Sequence, residues 1–491
     1  MTKAVSGATK RSTDAGHDAP AALAPLLACA SCGRQDAVLS LRAESFVCGE
    51  CKTRFPTFKS GNAQIPWLFR DPEAVLLEWR SRFNSFLHVN SSRQARLKQT
   101  LQDTLRSKAA GERLTRLLHA LDAQKKEVVN LLAPLNLGAP RADSKLDRSG
   151  LLHRKLPRQH GLLSYSNNVF RDWSWENGEN EKRFECVGRT LQAARFKAGR
   201  MLTLGAGACR LSYDLHRHYR PELSVALDWN PLLIFIAARV IHGDTVAFHE
   251  FPVAPLDKAS VAVARTCAAP EPIRADGAFM FVLADAMDSP FKADSFDTVV
   301  TPWVIDSIPQ DFVDFVRVVN RNLKIGGVWL NTGSLAFFHR NEAWCYSEEE
   351  VLKLVTANGF EVMTAERVDI PYLQSPVSAH GRVERAFSFS ARKIAAAESP
   401  KLPRYLPSWL LEPDRVVPDL DEFVAAAAHQ LLKAYVLAAI DGKRTVDEIA
   451  WLIARRYELQ HSEAKGAVQR ILIELYESSS IPKDDASAEL E

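Results

Sequence analysis

From residue 201 the chain reads Met-Leu-Thr-Leu-Gly-Ala-Gly-Ala-Cys-Arg-Leu, an apolar β-rich run that breaks on glycines and passes directly into a helical pattern. This segment constrains the fold more than any other. A strand that turns at Gly205 and Gly207 into a helix is the opening unit of an α/β sheet. Its glycines let the backbone pass close to a ligand, and the helix N-terminus favours a negative group. Asp228 closes the next strand 21 residues after Gly207, where a carboxylate can accept both hydroxyls of an adenosine ribose. Asp285 ends a further strand, placed to meet an adenine amino group.

The region from about 161 to 393 keeps this rhythm. β-like runs at 201–204, 224–227, 279–283, 298–301 and 327–332 alternate with helical stretches such as 211–219 and 312–323, the pattern of a doubly wound parallel sheet. Pro252, Pro255, Pro270 and Pro272 fall in a segment too long for a simple crossover, which predicts an excursion over the sheet.

Four of the eight cysteines form two C-x2-C pairs, Cys29 with Cys32 and Cys48 with Cys51, separated by 15 residues. Cys186, Cys209, Cys267 and Cys345 are scattered without pairing rhythm. This is metal usage and not a disulfide framework: two knuckles bring four thiolates to one structural Zn2+, and a closed four-thiolate site leaves no coordination position for water. The stretches Phe46-Val47-Cys48 and Arg54-Phe55-Pro56, with Gly61 and Ile65-Pro66, resemble the small zinc ribbon fused to, or partnering, many methyltransferases. Loss of the metal is expected to unfold this module and leave the centre of the chain largely intact.

A length of 491 residues predicts about three domains. The organisation read from the sequence is a disordered tail over 1–28, a zinc ribbon over 29–70, basic amphipathic helices and a linker over 71–160, the α/β domain over 161–396, a linker over 397–418, a small helical domain over 419–480 and a tail over 481–491. No apolar run approaches the roughly 18 residues that a membrane span needs, and the N-terminal stretch lacks a secretory pattern. A cytoplasmic protein without membrane contact is the expectation. The formal charge is +3 overall, yet residues 80–160 carry 17 Lys+Arg against 6 Asp+Glu. That basic stretch is read first as a solvated helix face and second as an RNA surface.

The loop after the fourth strand, Thr301-Pro302-Trp303-Val304-Ile305-Asp306-Ser307-Ile308-Pro309, is followed by a helix and Leu323-Lys324-Ile325-Gly326-Gly327. This order separates an S-adenosylmethionine fold from a dinucleotide one. Residues 164–393 resemble the carnosine N-methyltransferase family in Arg171-Asp172-Trp173-Ser174 with Glu181, Gly205-Ala206-Gly207 with Arg210-Leu211, Asp228-Trp229, Ile305-Asp306 and Gly326-Gly327-Val328-Trp329-Leu330-Asn331. The resemblance implies a Rossmann-like class I methyltransferase sheet, cofactor contacts from Asn168, Arg171, Gly205, Asp228 and Asp285, and a substrate contact from Asp306. A carboxylate at that sheet edge can orient a nitrogen nucleophile and stabilise the positive charge that develops on it; the alternative is that Asp306 caps the next helix. The family's third loop glycine is Cys209 here. Its substrate-contacting histidine aligns nearest Phe338, with His339 one residue away, and its tyrosines near the final strand fall at Arg382 to Glu384. The pocket therefore differs from the family's and need not take carnosine.

Near the C-terminus, Asp441-Gly442-Lys443-Arg444-Thr445-Val446-Asp447-Glu448-Ile449 and Arg456-Tyr457 resemble the PqqD-like winged-helix domains that present peptides to modifying enzymes; a plain helical packing module is the alternative. The function expected is an S-adenosylmethionine-dependent N-methyltransferase acting on a small imidazole or amine, or on a peptide side chain, with Asp306 and His339 as candidate catalytic residues. An RNA methyltransferase docked through residues 80–160 and a non-catalytic peptide-binding adaptor are the competing readings.

Overall fold

The structure, a computed structural model, describes residues 20–102, 108–137, 161–337, 339, 341–401, 409 and 414–478. The chain divides into two compact units, Met1–Tyr405 and Leu406–Glu491.

In the first unit Pro20–Leu26 forms a 3-10 helix with Leu23 and Leu26 buried, and Leu27 bridges Phe291. The tail expected over 1–28 is thus corrected at its end. Leu23, Leu26 and Leu27 give this short segment an apolar face, which joins the core under the central sheet; residues 1–19 lie outside the described residues. Strands β1 (Leu39–Arg42), β2 (Ser45–Cys48), β3 (Arg54–Ser60) and β4 (Ala63–Pro66) follow as an antiparallel sheet in sequence order. Phe46 and Phe55 face each other across β2 and β3 and share one core with Leu204, Leu227 and Val282.

Helices α1 (Pro72–Gln102) and α2 (Lys108–Leu132) come next, as the apolar spacing predicts. Val75, Trp79 and Phe83 of α1 and Val128, Leu131 and Leu132 of α2 are buried in the core on the other side of the sheet. Of the linker expected before the α/β domain, Ala133–Leu135 is a 3-10 turn with Leu135 buried, and residues 138–160 lie outside the described residues.

The α/β domain runs α3 (Ser166–Trp173), α4 (Glu179–Ala193), β5 (Arg200–Leu204), α5 (Arg210–Tyr219), β6 (Leu223–Asp228), α6 (Pro231–Ile241), β7 (Val246–Glu250), β8 (Val263–Cys267), β9 (Phe279–Leu283), β10 (Phe296–Pro302), α7 (Phe312–Asn322), β11 (Leu323–Gly333), α8 (Glu348–Ala357), β12 (Phe360–Tyr372) and β13 (Arg382–Lys393). Seven strands make the central sheet in the order β12-β13-β11-β10-β5-β6-β9. All run parallel except β13, which pairs antiparallel with both β11 and β12. This parallel-rich order is the Rossmann-like sheet expected, with one antiparallel strand near its edge. The Pro-rich excursion is the separate antiparallel pair β7-β8. Helix α6 is apolar apart from Arg239, and its other ten residues are buried. Such a helix must be covered all round: α2 packs on it, and Ser60 Oγ of β3 donates to Phe235 O at 2.9 Å. The strand order reverses between β5 and β10, which opens a crevice at their carboxyl ends.

The second unit holds α9 (Asp421–Ala439), α10 (Val446–Tyr457) and α11 (His461–Ser478) around Val436, Ile449, Ile453, Val468 and Ile471. Thr445 and Glu448 form the expected capping box. Among the described residues of this unit there is no strand, so nothing corresponds to the wing of a winged helix. Residues 402–408, in the expected linker, and the tail 481–491 lie outside the described residues.

Candidate active site and metal centre

The glycine turn after β5 is tight on one side and open on the other. Gly205 has φ +70°, and a Cβ there would lie 2.7 Å from Val304 Cγ2, so glycine lets the turn touch the loop after β10. Gly207, at φ +59°, has nothing within 4 Å of where its Cβ would be, which leaves room over the turn for a ligand. Cys209 also sits in the left-handed region, at φ +69°, where the family carries glycine; its thiol is fully buried. A side chain there costs about 1–2 kcal/mol of backbone strain.

Asp228 ends β6 with one oxygen turned to this loop and the other to the turn that follows its own strand. Oδ2 accepts from Gly207 N and Oδ1 from Asn230 N, each at 2.8 Å. A carboxylate has about four acceptor sites, so capacity remains for ligand hydroxyls. Burial pushes its pKa up to about 6, against the pull of the amides of Asn230, Gly207 and Trp229. Asp285, two residues beyond β9, is buried and caps the 3-10 turn Ala286–Asp288 by accepting from Met287 N at 3.0 Å.

Helix α3 is tied to the loop from the other side. Trp173 Nε1 donates to Ala208 O at 2.8 Å, and Arg210 Nη1 donates to Asp172 O at 2.8 Å. Arg171 is buried, with Asp172 Oδ1 at 2.7 Å and Glu179 Oε1 at 3.7 Å from its Nε. Asn168 Oδ1 is buried and, among the described residues, has no hydrogen-bond partner, an acceptor open to a ligand's donor. An adenosyl-amino-acid cofactor fits these features: hydroxyls for Asp228, open space over Gly207 and a donor for Asn168.

Asp306 lies in the 3-10 turn Ile305–Ser307, just past β10. It is not a helix cap; Asp311 caps α7, accepting from Val313 N at 3.0 Å. Burial pushes Asp306 up to about 6, with the nearby charge of Glu384 adding to the rise and a hydrogen bond from Ser334 opposing it. His339 is placed differently from the sequence expectation. Its Nδ1 accepts from Asn341 N at 2.9 Å, and its Nε2 faces Pro309 O at 3.1 Å, so both ring nitrogens brace the loop and neither is open as a base. Phe338 lies outside the described residues.

Four side chains that sequence reasoning did not single out surround Asp306 and the loop before it. Trp303 donates from Nε1 to Glu384 Oε2 at 2.8 Å, carries the Arg183 guanidinium 4.8 Å over its ring and has Tyr372 at 6.1 Å between ring centroids. Tyr372 stands opposite Arg382 in the β12-β13 register, so an aromatic from the neighbouring strand reaches the place where the family has tyrosines on the last one. The Tyr165 hydroxyl is pushed up to about 12 by burial and then by the charges of Asp228, Tyr372 and Asp306, which puts it in the field of both carboxylates. Tyr165 falls three and six residues before Asn168 and Arg171, a helical spacing that marks it in retrospect.

Early in the chain the Sγ atoms of Cys29, Cys32, Cys48 and Cys51 all lie within 4.8 Å of one another, with Cys29 and Cys51 3.6 Å apart. Tetrahedral zinc with Zn–S of about 2.3 Å separates its sulfurs by about 3.8 Å. The cluster fits such an ion.

The family model of carnosine N-methyltransferase matches residues 264–394. No curated protein matches the chain significantly. Among solved structures, one assigned as a methyltransferase from Bacillus halodurans is 15% identical over 43% of this chain and 99% of its own, with a TM-score of 0.29. One assigned as S-adenosylmethionine dependent from Listeria monocytogenes is 12% identical over 43% and 98%, also with 0.29. A complex of the Trm112 methyltransferase activator with a methyltransferase from Haloferax volcanii matches at 14% identity over 44% and 94%, with 0.28. In the described residues no helix is long and apolar enough to cross a membrane. With its strand order, its glycine turn and the match over residues 264–394 to the carnosine N-methyltransferase family, the first unit is that of an S-adenosylmethionine-dependent methyltransferase.

Proposed function

We propose that the chain methylates a nitrogen nucleophile, an imidazole or amine on a small molecule or a peptide side chain, held by Asp306. The observation that carries this reading is the half-buried Asp306 carboxyl just past β10, at the strand-order reversal, beside Trp303 and in the field of Tyr165 and Glu384. S-adenosylmethionine supplies an electrophilic methyl group on a sulfonium. Asn168, Arg171, Gly205, Gly207, Asp228 and Asp285 would hold it, with Asp228 accepting from the ribose hydroxyls. Asp306 would orient the nitrogen so that its lone pair lies in line with the methyl–sulfur bond. The new N–C bond forms as the C–S bond breaks, the electron pair stays on sulfur, and the nitrogen's proton passes to Asp306 or is lost beforehand. Trp303 and Tyr372 would exclude water. The four cysteines would hold one structural Zn2+, which suits a reducing, cytoplasmic setting.

The basic helices give the RNA reading no added support. Arg82 pairs with Glu78 and Lys126 with Asp122 along their own helices, and Arg93 lies over Phe251.

Asp306→Asn tests the proposal. It should leave affinity for S-adenosylhomocysteine within about twofold and lower turnover by roughly 10²–10⁴, the range for a positioned acid–base group. Methyl transfer from labelled cofactor to a panel of imidazoles, amines and histidine-containing peptides provides the readout. Full turnover by the variant would remove Asp306 from the mechanism.

A further inference from the structure

Arg70, four residues past the end of β4, links the four-cysteine cluster to the cofactor edge of the sheet. Its Nε and Nη2 fork onto Asp288, at 2.8 Å to Oδ2 and 2.7 Å to Oδ1, and its Nη1 donates to Ser31 O at 3.2 Å. Ser31 lies inside the first knuckle, between Cys29 and Cys32. Asp288 closes the 3-10 turn that Asp285 opens. A planar guanidinium that grips two oxygens of one carboxylate fixes direction as well as distance, so the knuckle backbone and the turn carrying Asp285 are held through one rigid fork.

The flanks of that turn are held from the same side. Leu68 N donates to Leu283 O at 2.8 Å, Ala28 N to Pro290 O at 2.9 Å and Lys292 N to Leu26 O at 2.8 Å. On the other side Arg321 Nη2 donates to Ser289 O at 2.7 Å, and Ser289 Oγ donates to Asn322 Oδ1 at 3.0 Å. The segment 283–293 is thus clamped between α7 and the zinc ribbon, and Arg70 is the clamp that also touches the knuckle.

We propose that Arg70 is a positioning residue that couples the four-cysteine site to the cofactor pocket: metal in the knuckles holds Ser31, Arg70 transmits that order to Asp288, and Asp285 is thereby aimed at the cofactor. The inference rests on the reading of Asp285 and Asp228 as the pocket's adenosine side. Coupling of this kind is reciprocal, so bound cofactor must tighten the hold on zinc by the same factor by which zinc tightens cofactor binding.

The test uses the full chain loaded with zinc, S-adenosylhomocysteine as the pocket probe and a chromophoric chelator as the zinc competitor. Arg70→Ala should keep one zinc per chain and lose about tenfold in S-adenosylhomocysteine affinity. Arg70→Lys, which keeps the charge without the fork, should fall between the variant and the native chain and serves if the alanine variant does not fold. In the native chain saturating S-adenosylhomocysteine should raise zinc affinity about tenfold, within the usual range of site-to-site coupling; in Arg70→Ala that increase should vanish. A merely structural Arg70 would alter stability and leave the zinc increase in place, which would overturn the proposal, as would native affinity in both variants. Asp228→Ala separates the two readings. If it binds S-adenosylhomocysteine as the native chain does, the pocket assignment fails; if it loses binding while Arg70→Ala does not, only the coupling fails.

Discussion

Asp228 and Asp306 share a condition that makes them readable in solution. Burial raises each to about 6, above the ordinary carboxyl value of about 3.9, yet each is assigned work as an anion. Their folded-state values exceed the unfolded ones, so the ligand-free protein loses stability from these groups as pH rises from about 4 through about 6. Ribose hydroxyls donate to a carboxylate and favour its charged form. Binding of S-adenosylhomocysteine should therefore release a proton near pH 6, and affinity should climb with pH up to that point and then level. Calorimetry in buffers of different ionisation enthalpy measures the proton directly. Turnover at saturating cofactor should fall about tenfold per pH unit below about 6, because the nucleophile then meets a protonated Asp306. Asp306→Asn should flatten the turnover limb and leave the affinity limb, and a turnover limb that survives the substitution would assign it to another group.

Among the elements, β9 decides how the ribbon and the sheet share stability. Its five residues, Phe279–Leu283, are all buried, although it is the last strand of the seven. An apolar edge strand left open is an aggregation site. Here the segment after β4 covers it, with Trp67 bridging Leu283 and Phe46, Phe55 and Leu27 packed in the core beneath. This shared packing argues against the sequence expectation of an N-terminal module that unfolds alone. Cys48→Ser should lose the zinc and lower the melting temperature of the whole first unit in a single cooperative transition; two separate transitions, with the main one unmoved, would restore the independent module. The comparison with the sequence has the same cause. The five parallel strands were legible because glycines and aspartates bound each apolar run, and the cysteine knuckles because their spacing is local. Pro20–Leu26 was not, since its order comes from leucines meeting a sheet far along the chain. Within the site, Gly205, Asp228 and Asp306 announce themselves by position after a strand. Tyr165, Arg183, Tyr372 and Glu384 come from four separate elements or loops, and only the folded sheet edge brings them near Asp306.

At the scale of the molecule, the residues proposed for the chemistry and the small helical core fall in different compact units. The four cysteines, the glycine turn, Asp228, Asp285 and Asp306 all belong to the first unit, while the second closes its own core on Val436, Ile449, Ile453, Val468 and Ile471 and ties its helices by pairs such as Lys433 with Glu474 and Lys465 with Asp447. A core that small supplies only about 3–5 kcal/mol, so the second unit should melt early and without effect on the first. A chain ending at residue 401 should keep one zinc, bind S-adenosylhomocysteine within about twofold of the full chain and retain its main calorimetric transition. Its turnover then separates the two classes of acceptor in the proposed function. Phe423, Val424, Leu431 and Trp451 are partly exposed on the second unit. If the acceptor is a peptide delivered by that surface, truncation should raise its KM about tenfold or more with kcat at saturation unchanged, because binding is lost far from the reacting nitrogen. A small imidazole or amine held at Asp306 should be methylated equally well by both chains. Loss of cofactor affinity in the truncated chain would mean that the two units share their stability, and that the second is part of the active fold.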